Sequence, residues 1–106
     1  MGPNSRKVQR FAVQLPCILG NLDQQVHGTV LNLSVQGCAI TAEYVPTVSS
    51  YVPLEIDLLN GEAQVAIELA AVRWVSENRC GLEFIRVPPD ILMRLKAFVL
   101  LLERTP

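Results

Sequence analysis

Metal and nucleophile chemistry have little to work with in this sequence. There is one histidine, His27, and the three cysteines, Cys17, Cys38 and Cys80, form no CxxC pair, so the donor spacing of a zinc site is missing. His27 has no serine, cysteine or aspartate arranged around it as a catalytic triad requires and reads as an exposed or partly buried strand residue. No glycine-rich phosphate loop is present either. The chain is therefore expected not to be an enzyme and to need no cofactor or metal. Net charge is only -1 and aromatic residues make up 6%, which leaves neither the basic field nor the stacking surface of a general nucleic-acid binder, so no DNA or RNA partner is expected. The longest apolar stretch, Ala97 to Leu102, falls far short of the ~20 residues that span a bilayer. No secretory leader is recognisable. Membrane insertion is not expected, and an odd number of cysteines in apolar surroundings reads as small core residues of a cytoplasmic protein.

What the sequence does hold is 106 residues, half of them hydrophobic, enough to bury the core of one domain. Its charge is unevenly spread: Arg6, Lys7 and Arg10 stand before the first acid, Asp23, whereas the ten acids all follow. Any anion site must be local and near the start, although a solvated basic terminus has the same composition.

Most of the chain reads as strand. Phe11 to Leu19 (FAVQLPCIL) alternates around Pro16, as an edge strand or a broken one would. Val26 to Leu33 and Gly37 to Ala42 form a hairpin with Ser34-Val35-Gln36 near its tip. Val52, Leu54, Ile56 and Leu58 alternate with Pro53, Glu55 and Asp57, the period of a sheet wet on one face, with Glu55 and Asp57 as solubilising charges. Asn60-Gly61 supplies hairpin-turn chemistry ahead of a long apolar strand, Ala63 to Val75; Trp74 within it reads as core rather than as a platform for a stacked base, and Arg73, on the opposite face, as either a surface residue or an addition to a ligand site. Ser76-Glu77-Asn78 turns into Arg79 to Arg86. The result is a mainly β fold, a small antiparallel β-barrel built from sequential hairpins.

Pro88-Pro89-Asp90 then opens a C-terminal helix over 88–104, with prolines confined to its first turn and an acid at the positive end of its dipole. Ile91, Leu95, Phe98 and Leu102 share one stripe that packs on the barrel. Met93, Ala97, Leu100 and Leu101 form a second apolar surface. Either the helix lies in a groove that buries both, or the second surface serves self-association, as a homo-oligomer through this helix, or docking.

Two short motifs carry the functional reading. Residues 6–10 read RxxxR and residues 32–37, Asn32-Leu33-Ser34-Val35-Gln36-Gly37, read NxSxxG. By chance the first occurs in roughly one chain in four of this length and the second in roughly one in twenty. By themselves Asn32, Ser34 and Gly37 are ordinary hairpin-tip residues. In this order and separation, however, the pair resembles the PilZ family, which is marked by RxxxR near the N-terminus and [DN]xSxxG in the hairpin of a small barrel of split-barrel type. The resemblance extends to RFAVQLP, to Val72-Arg73-Trp74-Val75 and to Cys80-Gly81-Leu82-Glu83-Phe84, and so covers nearly the whole chain. It implies a flexible arm over 1–10, a barrel over 11–87 and the helix over 88–104.

It also implies a ligand, cyclic di-GMP, bound by Arg6, Arg10, Asn32, Ser34 and Gly37. Guanine offers O6 and N7 as two acceptors on one edge, which the planar fork of arginine meets and lysine does not. Two phosphodiester charges give the arginines further work. Asn32 brings donors and an acceptor to a base edge, Ser34 donates to a phosphate or fixes the turn, and Gly37 permits a positive φ or close approach. Ligand-driven ordering of the arm would present a new surface to a separate, unidentified downstream protein. The alternatives are a PilZ-like interaction module without nucleotide binding and, last, a small barrel that binds single-stranded nucleic acid.

Overall fold

The computed structural model describes residues 9–21 and 23–104. Six strands follow in order, β1 (Phe11–Asn21), β2 (Gln24–Leu33), β3 (Gly37–Ala42), β4 (Tyr51–Ile56), β5 (Val65–Ser76) and β6 (Arg79–Arg86), and then a helix, α1 (Pro89–Arg104). The strands close into an antiparallel barrel with neighbours β1-β2-β3-β6-β5-β4. The hairpins β1-β2, β2-β3, β4-β5 and β5-β6 are sequential; β3 to β6 and β4 to β1 complete the ring. Among the described residues every strand has a paired neighbour on both sides over at least part of its length, so no strand presents a wholly open edge to another chain.

Closure also corrects the reading of Phe11 to Leu19 as an edge. β1 pairs with β2 along its length and, at Cys17, Ile18 and Leu19, with β4 as well. Pro16 is tolerated because it sits one residue outside the β4 ladder, where only its carbonyl is used, accepting the Asp57 N–H at 2.9 Å. The Asn60-Gly61 turn is likewise looser than a two-residue hairpin. Ile56 pairs with Val65, and the intervening loop is shaped by Asp57 and Asn60 side chains accepting the Leu59 and Glu62 N–H groups.

Val30, Leu33, Cys38, Ile40, Ile56, Val65, Val72 and Cys80 fill the barrel with no solvent access. The three cysteines are buried and free, as core residues. Their thiols are pushed up, Cys17 and Cys80 to about 11, because burial penalises the thiolate. α1 begins where Leu92 N–H donates to the Pro88 carbonyl at 2.9 Å, with Asp90 in its first turn and Arg104 in its last. It packs on β5 and β1 through Leu95 and Val99, buried, with Ile91, Phe98 and Leu102 half-buried beside them. Met93, Leu100 and Leu101 are exposed, so among the described residues no groove buries both helix faces.

Trp74 departs from its expected place in the core and is 43% exposed. The register of β5 against β6 shifts between Val72 and Trp74. That bulge interrupts the period of two, so Arg73, Trp74 and Val75 are all exposed after buried Val72.

Candidate functional site

Arg10 stands one residue before β1, and Asn32 one residue before the end of β2, opposite Ala12. The Arg10 Nη1 donates to Asn32 Oδ1 at 3.0 Å, and the same oxygen accepts the Ala39 N–H at 3.2 Å. Asn32 can reach both because β2 shifts register between Val30 and Asn32, and β1 does so between Ala12 and Leu15. Bulges re-aim side chains in this way beside functional sites. Asn32 thus ties Arg10 to the β2-β3 hairpin.

Ser34 is buried, 2% exposed. Its hydroxyl accepts the Gln36 and Gly37 N–H groups, both at 3.1 Å, and lies 3.3 Å from the Gly37 carbonyl as a donor. The Ser34 N–H donates to that carbonyl at 2.9 Å. Its hydrogen-bonding capacity goes into holding residues 34–37 in a tight turn. Gly37 has no positive φ; it is glycine because a Cβ would lie 2.3 Å from the Leu82 carbonyl oxygen, so β3 and β6 approach too closely for a side chain. The Phe84 N–H donates to the Gln36 carbonyl at 2.8 Å and pins the tip against β6. Arg6 lies outside the described residues.

The pinned tip brings in residues that the motifs did not include. Arg10, Gln36, Arg73, Trp74, Gly81, Leu82 and Glu83 line one open cleft of about 210 Å³. Arg73 Nε and Nη2 both lie 2.6 Å from Glu83 Oε1, so the cleft carries two guanidinium groups and one carboxylate. The indole of Trp74 lies over Gly81, its cross-strand partner. One signal for Trp74 was present in the sequence. Counting back from the Glu77-Asn78 turn through Ser76 opposite Arg79 puts a bare glycine across from tryptophan, a place where a ring covers backbone rather than entering the core.

A second, shallower cleft adjoins the first, lined by Val45, Pro46, Thr47, Val48 and again Arg73, Trp74 and Val75. The loop bearing these residues is tied to β5 by Ser49 N–H to Val72 carbonyl, 2.8 Å, and Val72 N–H to Ser50 carbonyl, 2.9 Å. Among the described residues no cluster of histidine, cysteine or acid could hold a metal, and no helix is long and apolar enough to cross a membrane.

A model of the PilZ domain matches residues 4–101. No curated protein is similar enough in sequence to match. Among solved structures, the chain is similar to the inhibitor of motility MotI/DgrA of Bacillus subtilis, with TM-score 0.75 and 20% identity over 97% of this chain and 55% of that one. YcgR of Escherichia coli in complex with c-di-GMP gives TM-score 0.74 and 19% identity over 93% and 46%. The PilZ domain of CeSA from a cellulose-synthesizing bacterium gives 0.69 and 21% over 91% and 99%. The chain thus spans about half the length of MotI and YcgR and nearly all of the isolated CeSA domain, and at these identities the likeness is one of fold.

Proposed function

The chain belongs to the PilZ domain family, and from that premise we propose that it is a non-catalytic receptor for cyclic di-GMP that signals to a separate protein from the cytoplasm. The observation that carries this reading is the 3.0 Å contact between Arg10 and Asn32, one residue from each motif, with Arg10 lining a cleft that also holds Arg73 and Trp74. An anionic ligand with flat bases needs this set. Guanidinium groups meet phosphate oxygens and the O6/N7 edge of guanine, and an exposed indole offers a face for a base to stack on.

Roles divide by exposure. Arg10, exposed, contacts the nucleotide directly together with Arg6, and Asn32 orients Arg10 while offering its amide donors to the ligand. Ser34 and Gly37 act through the shape of the turn, since the hydroxyl is buried and engaged and the glycine is pressed against β6. Residues 1–10 close over the nucleotide when it binds, and the surface so formed, with the Val48 and Val75 side of the second cleft, faces the downstream protein. The solved YcgR complex, whose ligand is c-di-GMP, supports the choice of nucleotide.

Trp74 is the only tryptophan, so its fluorescence reports on the cleft alone. Titration with cyclic di-GMP is expected to quench it saturably, with GTP and cyclic AMP producing no comparable change at equal concentration. An unchanged spectrum across the cyclic di-GMP series, with calorimetry equally silent, would remove the receptor reading and favour an interaction module.

A further inference from the structure

The barrel uses one face of α1 and leaves the other to solvent. At about 100° per residue, Met93, Ala97 and Leu100 lie opposite the buried Leu95 and Val99. All three are exposed, Met93 by 71% and Leu100 by 47%. Asp90 stands at the start of this outward face and Arg104 at its end. Lys96 and Glu103 share one flank of it, seven residues or about 10 Å apart along the axis.

Neither flank charge has a mate on its own helix. The positions three and four residues from Lys96 are Leu92, Met93, Val99 and Leu100, and those preceding Glu103 are Val99 and Leu100. Among the described residues neither side chain enters an ion pair. Opposite charges at matched spacing on one flank are what an antiparallel pair of identical helices requires.

We propose that this face docks on a second copy of itself, the two α1 helices running antiparallel about a two-fold axis near Ala97 and Leu100. An isologous contact makes every pairing occur twice. In an antiparallel pair each flank meets the same flank of the other helix, so Lys96 faces the partner's Glu103 and Glu103 faces the partner's Lys96. The same axis brings Asp90 to about a turn and a half from the partner's Arg104, a secondary attraction between opposite charges. Ala97, the smallest residue of the face, sits at the crossing and lets the helices approach closely. Opposed helix dipoles add to the preference. A parallel pair would set this flank against the partner's other flank, and the charge match would be lost. One helix of 16 residues offers less than the roughly 1,200–2,000 Å² of a standard interface, so the dimer is weak and concentration-dependent.

Sedimentation velocity of the full chain without nucleotide, over a concentration series at low salt, tests this apart from ligand binding. The mass is expected to rise from 11.7 kDa towards twice that value. Lys96→Glu alone and Glu103→Lys alone each weaken association about tenfold, because each change places like charges opposite one another twice. The double variant Lys96→Glu with Glu103→Lys restores it to near the wild-type constant, and Leu100→Glu abolishes it. These are exposed positions, so circular dichroism should be unchanged. A mass of one chain at every concentration, or a dimer that the single reversals leave intact or the double variant fails to restore, would overturn the proposal and leave the face to another partner.

Discussion

The indole of Trp74 and the backbone of Gly81 are in direct contact: a Cβ built on Gly81 would lie 2.0 Å from Trp74 Nε1 and 2.5 Å from Cε2. Glycine is therefore what allows the ring to lie over β6 at the cleft rather than stand away from it. Gly81→Ala is expected to lift the ring, shift Trp74 emission and lower cyclic di-GMP affinity about tenfold, in line with the ~1–3 kcal/mol of a base stacked on an aromatic ring. Fluorescence and calorimetry on the same variant check both halves.

Removing the turn's organiser should cost stability as well as binding. In Ser34→Ala the Gln36 and Gly37 N–H groups lose their acceptor, at about 1–3 kcal/mol. Gly37→Ala forces β3 away from the Leu82 carbonyl at a similar cost of roughly 1–3 kcal/mol. Urea unfolding measures both. A Ser34→Ala protein of wild-type stability and lower affinity would instead assign the hydroxyl to the ligand.

Glu83 holds Arg73 with one oxygen and opposes an anion in the cleft. The pair is half-exposed on both sides, so its own contribution to stability is small, ~0.2–1 kcal/mol. Glu83→Gln should leave stability nearly unchanged and tighten binding of cyclic di-GMP a few-fold, with the gain shrinking as salt is added. Arg73→Ala should move affinity the other way.

The cysteines predict a limit at alkaline pH. Burial raises Cys17 and Cys80 from the ordinary 9.0 to about 11, and Cys38 is raised as well, first by burial and then by the two neighbouring cysteines. The folded state therefore binds these protons more tightly than the unfolded chain. Their contribution is fully present below pH 9 and is lost as pH rises through about 11. Urea midpoints measured from pH 7 to 11 should fall above pH 9, and a Cys80→Ser variant should show a shallower fall.

Much of the fold was written in local pattern. The β2-β3 and β5-β6 hairpins follow from β-formers bounded by Ser34-Val35-Gln36 and Glu77-Asn78, and α1 from its prolines and the stripe centred on Leu95. What local pattern does not carry is closure and bulging. Pro16 reads as an edge residue until the short β4 ladder beside it is seen. Trp74 reads as core because a bulge at Val72/Trp74 leaves no mark in the alternation. For the site, Arg10 and Asn32 were legible from their motifs. Arg73 could be read from the sequence either as a surface residue or as part of the site, because its approach to the cleft depends on the pairing of Gly37 with Glu83 across β3 and β6, a contact between residues far apart in sequence.

Arg10 is the residue on which the receptor reading stands. Isothermal titration of cyclic di-GMP into the wild type, Arg10→Ala and Arg10→Lys should give saturable binding for the first, none detectable for the second and a loss of at least tenfold for the third, since lysine keeps the charge but not the fork. Equal affinity in all three proteins would contradict it.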